Sequence, residues 1–323
     1  MKGVTMRIFV AGATGVVGQQ LLPRLTAQGH QVTATTRSPA KAEQLRALGA
    51  EPTVVDGLDA MAVGEAVARA EPEVVIHQMT SLAGAFSLRR FDRVFAVTNR
   101  LRTQGTDHLL AAASAAGVRR FIAQSYTGWP NIREGVPVKT EDDPLDPSPP
   151  RAQRESMAAI RHLERVVLAA APMEGIVLRY GSFYGPGASD EFVRLIRRRM
   201  VPIIGDGAGI WSFLHISDAA AATVAALERG APGVYNVVDD DPASVAEWLP
   251  FLAAAVGARA PYRVPVWLGR LAAGEVGVSV MTQIRGSANT KAKRELGWQP
   301  AWPSWRQGFR DGLAAAAPVS GVS

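Results

Sequence analysis

Short β-branched runs alternate with helix-patterned stretches over the first two-thirds of the chain. Arg7 to Ala11 reads as a strand, and Val16 to Gln28 as a helix ended by Gly29. Gln31 to Thr36 is a second strand. Ser38-Pro39 then opens a helix, with serine as N-cap and proline in the first turn. Thr53 to Val55 and Val74 to His77 give the third and fourth strands. A long helix is expected from about Arg90 to Ala116, closed by Gly117, followed by a fifth strand from Arg119 to Gln124. A helix over Gln153 to Ala170 and a sixth strand over Gly175 to Tyr180 continue the alternation. Such repetition implies right-handed crossovers and a parallel sheet covered on both faces, so the expected fold is α/β, a Rossmann doubly wound sheet.

Beyond this point the pattern loosens. Gly128 to Pro150 is rich in Pro, Gly and Asp, a long loop of the kind that in compact domains carries function. Residues 1–188 are expected to form a dinucleotide-binding Rossmann domain, completed by a strand–helix–strand return over about 211–240. Residues 189–210 and 241–323 are expected to form a smaller substrate-binding lobe, with a frayed tail from Ala314 to Ser323. The chain shows no internal repeat.

Composition narrows the chemistry. The 323 residues are 47% hydrophobic and 20% charged, a globular balance. There is no cysteine, which removes disulfides, thiolate metal sites and cysteine nucleophiles. No apolar stretch is long enough to span a bilayer and the N-terminus lacks a signal-peptide pattern, so a cytoplasmic protein without membrane contact is expected. The net charge of +6 is spread over separate clusters, Arg89-Arg90, Arg119-Arg120, Arg197 to Arg199 and Lys291 to Arg294. Scattered bases without interleaved aromatics do not describe a nucleic-acid surface; attraction to an anionic cofactor or substrate is use enough for them.

The strongest chemical signal is Ala11-Gly12-Ala13-Thr14-Gly15-Val16-Val17-Gly18, three glycines spaced G-x-x-G-x-x-G between a strand and an apolar helix. Gly12 allows a tight turn, Gly15 lets the backbone approach a pyrophosphate, and Gly18 lets the helix close on the strand. A plain glycine-rich turn is the alternative, but the strand–turn–helix context favours the dinucleotide site. The second strand ends Thr35-Thr36-Arg37-Ser38 without the acid that would hold the ribose hydroxyls of NAD. Arg37 offers a guanidinium fork, and Ser38 a hydroxyl, to a ribose 2′-phosphate, so NADP is the expected cofactor, with NAD the alternative.

These residues, with Val55-Asp56-Gly57-Leu58, Asn99, Gly105-Thr106, Leu178-Arg179-Tyr180, Tyr184-Gly185-Pro186-Gly187, His215 to Asp218 and Glu295 to Pro300, resemble the extended short-chain dehydrogenase/reductase family of epimerases and dehydratases. The resemblance covers nearly the whole chain. It implies that Asp56 holds the adenine amino group and that the loop from Tyr180 to Tyr184 borders the nicotinamide. Gly57, Leu58, Gln78, Met79, Thr80, Gln124, Tyr180, Ser182 and Phe183 complete the implied cofactor contacts. The substrate would lie between the carboxyl edge of the sheet and the small lobe, and a homodimer would pair the helices of residues 90–116.

One part of the family pattern is missing. Its reaction centre joins a Ser or Thr after the fifth strand to a Tyr-x-x-x-Lys, whose lysine lowers the tyrosine pKa for proton exchange. No Tyr-x-x-x-Lys occurs here; registering on Glu164 puts Ser156 in the tyrosine slot and Ile160 in the lysine slot. Phe121 to Tyr126 registers with the family's fifth strand so that Tyr126, or Ser125 if the register slips by one, occupies the serine position. Tyr126 is therefore the candidate proton donor, with Ser125 and Asn99 orienting the substrate and Tyr184 near the cleft; packing at a strand end and a structural turn are the respective alternatives. Lys139 on the long loop is a cation that could approach. His77 reads as a satisfied buried histidine and His162 as a weak acid/base candidate, while His215-x-x-Asp218 lacks the companions a metal needs, so no metal is expected.

The expectation that follows is an NAD(P)H-dependent oxidoreductase moving hydride to or from a small organic carbonyl, alcohol or enone. Two alternatives stay open: an epimerase or isomerase using transient oxidation, and a non-catalytic NADP(H)-binding sensor.

Overall fold

The computed structural model describes residues 5–81 and 87–313; the expected frayed tail falls outside them. Among the described residues seven strands form one parallel sheet. They are β1 (Arg7–Ala11), β2 (Gln31–Thr36), β3 (Glu51–Val54), β4 (Val74–His77), β5 (Arg120–Tyr126), β6 (Glu174–Tyr180) and β7 (Gly233–Val237). Their spatial order is β7-β6-β5-β4-β1-β2-β3. The chain thus runs outward from β1 to β3, returns to β4 on the other side of β1, and runs outward again. Reversal between β1 and β4 opens a crevice at their carboxyl ends, where ligands of open α/β sheets bind.

Alternation along the strands explains the two covered faces. Ile8 and Val10 of β1 pack with Leu21, Leu22 and Leu25 of α1 (Val16–Ala27) and with the alanines of the helix Ile216–Arg229. Phe9 and Ala11 point the other way, onto Val63 and Val67 of α2 (Ala60–Ala70), Leu109 and Ala113 of α3 (Thr106–Ala115), and Leu163 and Val167 of α4 (Arg154–Leu168). A third cluster draws Trp248, Trp305 and Phe309 from the C-terminal part together with Phe91, Trp129 and Tyr126, so it meets the sheet at the carboxyl end of β5. No helix among the described residues is long and apolar enough to cross a membrane.

Four expectations need revision. The long helix of residues 90–116 is broken: short helices Phe91–Val94 and Ala96–Arg100 precede a π-helical turn Leu101–Gly105 and then α3. At Phe95 the backbone leaves helical geometry (φ −88°, ψ 3°), which ends the first segment. β5 extends to Tyr126, two residues further than expected, because Ser125 and Tyr126 stay in register with Arg179 and Tyr180 of β6. Ser38 opens only a short 3-10 turn, Pro39–Lys41, and makes no side-chain cap bond. The strand Phe213–His215 pairs with Ser182–Tyr184 outside the main sheet; only Gly233–Val237 joins that sheet.

The tight fit of α1 on β1 gives a test. A Cβ on Gly18 would lie 2.2 Å from the Ala13 carbonyl oxygen, whereas one on Gly64, in α2, would meet nothing within 4 Å. Gly18→Ala should lose about 1–3 kcal/mol or more in urea unfolding from overpacking. Gly64→Ala should gain roughly 0.5–1 kcal/mol from helix propensity. Equal effects would refute this account of the packing.

Candidate active site

Gly12 leaves β1 with φ +87°, a conformation that favours glycine, and its N–H donates to Thr35 Oγ1 at 3.0 Å. A Cβ there would lie 2.6 Å from the backbone of Gln78, so the loops after β1 and β4 are pressed together at the crevice. Ala13 and Val17 turn into the core, while Gly15 is exposed and Thr14 and Val16 partly so. Gly15 starts α1 without a side-chain cap, and no acid stands in the first turn. The N–H groups of Val16, Val17 and Gly18 therefore have no intrahelical acceptor, and the positive end of the helix is open to an anion. A Cβ on Gly15 would touch only the Gly12 carbonyl, at 3.3 Å.

The other expected cofactor residues follow along the same edge. Arg37 is exposed just past β2, and the Ser38 N–H donates to Thr36 Oγ1 at 3.1 Å to fix the turn. Asp56 is exposed after β3, its carboxylate accepting from the Leu58 N–H at 3.0 Å. Gly57 backs onto Met79, whose Sδ would lie 2.3 Å from an added Cβ. Thr80, Gln124, Ser182 and Phe183 are half-buried. Gln78 is buried and its hydrogen bonding has one direction: Thr223 Oγ1 donates to the Ala219 carbonyl, so Tyr180 Oη donates to Thr223 at 2.6 Å and accepts from Gln78 Nε2 at 3.2 Å. Gln78 Oε1 is left buried with no partner. Such an acceptor carries a desolvation cost of about 1–3 kcal/mol until something donates to it. An uncapped helix end, a Cβ-free approach at Gly15 and this unpaired amide oxygen together fit a dinucleotide.

Tyr180 itself is a correction. It is fully buried and its hydroxyl is spent inside the core, with burial pushing its pKa up to about 12; of its loop only Ser182 and Phe183 stay at the edge. Tyr184 is likewise withdrawn from the cleft. It is 1% exposed, packed edge-on against His215 and Phe309, and Gly308 sits so close that a Cβ would lie 2.1 Å from the phenol oxygen.

The family's tyrosine slot holds Ser156, fully buried on α4. Its Oγ donates to Asp92 Oδ1 at 2.6 Å and accepts from Asn99 Nδ2 at 3.0 Å, and Asp92 also takes the N–H groups of Glu155 and Ser156 at the start of α4. Asn99 thus ties two helices together, with its Oδ1 buried and unpaired. Ile160, in the lysine slot, is core. Ser125 is buried and donates to Glu164 Oε1 at 2.8 Å, and Glu164 is held by Arg179 through two bonds of 2.9 and 2.6 Å. Ser125 is therefore part of a closed ion-pair network.

Tyr126 differs. It is half-buried at the end of β5, its Oη 2.9 Å from Ser182 Oγ, and its ring stacks at 6.3 Å on Trp129. Burial raises its pKa, while the Ser182 hydrogen bond and the charge of Arg102 pull it back. Of the tyrosines named as candidates, it is the one that combines partial exposure with this edge. Lys139 is buried on the long loop and paired with Asp143 at 3.2 Å, and His162 faces Asp107 at 2.7 Å on the outer side of α4. Reasoning from sequence missed Asp92, which carries no motif and is brought to the start of α4 only by the fold.

A parallel sheet with this crevice and glycine loop defines a dinucleotide-binding α/β enzyme fold. Residues 8–237 match the family model of the NAD dependent epimerase/dehydratase family. The chain belongs to that family. It is 44% identical over 311 residues to a 3-diazoavenalumate denitrifying reductase of a Streptomyces species, covering 94% of this chain and 99% of the relative. It is 31% identical over 271 residues to a 2-alkyl-3-oxoalkanoate reductase of Stenotrophomonas maltophilia, covering 78% and 76%. With such relatives the chain is an oxidoreductase. The fold is also that of the UDP-glucose 4-epimerase of Thermotoga maritima, solved with UDP-glucose, at a TM-score of 0.75 and 22% identity over 95% and 97% of the two chains.

His77 yields a prediction about pH. It is 2% exposed, its Nε2 facing Thr106 Oγ1 at 3.1 Å and its Nδ1 accepting from the Met79 N–H at 3.2 Å. Burial lowers its pKa from 6.5 to about 4. Because the folded value lies below the unfolded one, its contribution is present above pH 6.5 and is lost as pH falls toward 4. The slope is up to about 1.4 kcal/mol per pH unit. Urea midpoints across that window should fall more steeply for wild type than for His77→Gln; parallel slopes would contradict the assignment.

Proposed function

We propose that this protein is an NADPH-dependent reductase of a small electrophilic organic substrate, a carbonyl or conjugated carbonyl compound, with Tyr126 as proton donor. The observation that carries this reading is the half-buried Tyr126 phenol at the carboxyl end of β5, bonded to Ser182, while the family's tyrosine and lysine slots hold a buried serine and an isoleucine. Val16, Val17 and Gly18 would hold the pyrophosphate through their backbone N–H groups, Asp56 the adenine end and Gln78 Oε1 a donor on the bound dinucleotide. The 2′-phosphate of NADP would sit against Arg37, with Ser38 beside it. A reduced nicotinamide bound along this edge supplies hydride. The acceptor carbon gains that hydride, which brings the two electrons of the reduction; the oxygen takes the proton of Tyr126, whose O–H electrons stay on Oη until solvent returns a proton. The cleft would lie between the sheet edge and a lobe formed by residues 189–210 and 241–323. A homodimer pairing residues 90–116 of two copies belongs to the same proposal.

A second acceptor class has support of its own. The relative with 44% identity is named for reductive loss of nitrogen from a diazo compound. Hydride delivered to the carbon of an aryl diazonium gives the arene and dinitrogen, and no proton donor is needed. That would suit a site whose usual acid is gone.

Two measurements test the proposal. NADPH oxidation is followed over a panel of ketones, enones and aryl diazo compounds. Tyr126→Phe should lower carbonyl reduction about 10²–10⁴-fold, the range for removal of a general acid. Diazo reduction would be unaffected by that change. Substrate isomerisation without net NADPH consumption would favour the epimerase alternative, and binding without turnover the sensor. Arg37→Ala should shift the preference for NADPH over NADH by roughly ten- to a hundredfold, matching about 1.5–3 kcal/mol for charge-assisted hydrogen bonds. An unchanged preference would remove Arg37 from the site.

A further inference from the structure

Exposed apolar side chains gather in one place on this protein. Among the described residues eleven large hydrophobic side chains are exposed, and six of them are Met200, Tyr262, Val266, Trp267, Leu268 and Leu271. The fold joins these stretches. Arg263–Val264 pairs in parallel with Ile203–Ile204, the Arg199 guanidinium lies 5.7 Å from the Tyr262 ring centre, and a Cβ on Gly205 would lie 3.0 Å from Val266 Cγ2. The helix Val266–Thr282 leaves helical geometry at Gly274 (φ 74°, ψ −173°), so residues 266–273 form a segment of their own. Within residues 265–272 only Gly269 is buried, at a point where an added Cβ would lie 2.5 Å from Ile204. Arg89 Nη1 reaches the segment from outside, donating to the Leu271 carbonyl at 2.6 Å. Packing over these two turns thus uses a glycine and a backbone carbonyl, and calls for none of the apolar side chains. Yet Trp267 is 66% exposed, and Leu271, one turn further on, 62%. A contiguous apolar patch on a protein surface marks a contact with something else.

The surroundings of the patch are basic. Arg199, Arg263 and Arg270 are exposed there, and none of them belongs to an ion pair among the described residues. Arg199 and Arg263 give hydrogen bonds only to carbonyls, those of Ala260, Gly205 and Asp206. The carboxylates on the same stretches, Asp206 and Glu275, accept the backbone N–H groups of Ala208 and Arg151 instead. Shape decides between kinds of anionic partner. The exposed positions of residues 266–272 span about 240° of the helix circumference. A second protein would need a socket to cover them together, whereas headgroups and acyl chains close around such a knob.

We infer that this segment is a membrane-contact site. Trp267 and Leu271 enter the interfacial layer of an anionic phospholipid bilayer, and Arg199, Arg263 and Arg270 meet the lipid phosphates. The inference goes beyond the reductase reading and does not depend on it. The expectation of no membrane contact rested on the lack of a long apolar run, and a patch assembled by the fold leaves no such run in the sequence.

The test is flotation of the full-length protein with vesicles of phosphatidylcholine alone, or with about one-third phosphatidylglycerol added. The protein should float with the anionic vesicles, stay free of the neutral ones, and be released as salt is raised. Trp267 is the one exposed tryptophan among the described residues, so emission should shift to the blue on binding. Trp267→Ser with Leu271→Ser, and Arg263→Gln with Arg270→Gln, should each weaken vesicle binding about tenfold or more. All four side chains are on the surface, so thermal midpoints should stay near wild type. Should one pair of changes prevent folding, the other carries the test. No flotation with either vesicle, equal flotation with both, or undiminished binding in the folded variants overturns the inference. Sedimentation of a dimer that the Trp267→Ser, Leu271→Ser pair dissociates, without flotation, assigns the patch to a second copy of the chain and overturns it as well.

Discussion

The contact of Gly12 with the backbone of Gln78 governs the geometry of everything at the sheet edge. β1 and β4 are neighbours in space but lie on opposite sides of a reversal in strand order, and their carboxyl ends would diverge if any side chain separated them. With no Cβ at Gly12, the two backbones touch, and the N-terminus of α1 is aimed across the gap. Gly18 then sets how closely α1 lies on β1. In the proposed binding mode a pyrophosphate on the amides of residues 16–18 would send the rest of the dinucleotide toward Arg37 and Asp56 on one side and toward Gln78 and Ser182 on the other.

Polar groups around the reaction end divide into those that are satisfied and those that are not. Ser125, Glu164, Arg179, Asp92 and Ser156 are bonded to one another or to backbone, and Lys139 to Asp143, and such closed networks hold helices and strands in place. Gln78 Oε1, Asn99 Oδ1 and Arg102 Nη1 are buried without partners. Each such atom forfeits water and gains nothing in return, and Gln78 Oε1 is the one at the edge where a dinucleotide is proposed to lie.

Much of this was legible in the sequence. Alternating runs gave six of the central strands, and the three glycines between strand and helix marked the phosphate loop, because the left-handed turn at Gly12 and the close approach at Gly18 each exclude a side chain and leave a signature in residue type. Periodicity failed where tertiary contacts decide. Residues 90–116 look like one helix by composition, yet the kink at Phe95 and the π-helical turn at Leu101 depend on packing against α4. Tyr180 and Tyr184 occupy family positions, but whether a phenol faces the core or the cleft is set by Thr223 and Gly308, residues far along the chain. The pairing of Tyr126 was hidden for the same reason: its partner Ser182 is 56 residues away and on another strand.

The account depends most directly on a dinucleotide resting against the start of α1. Calorimetric titration of NADPH into the wild-type protein and into a folded Gly15→Glu variant tests it, since a carboxylate at that exposed position repels a diphosphate while leaving the strand and helix intact. One saturable site in the wild type, abolished in the variant, is the predicted result. Absence of binding in the wild type, or equal binding in both, would contradict it.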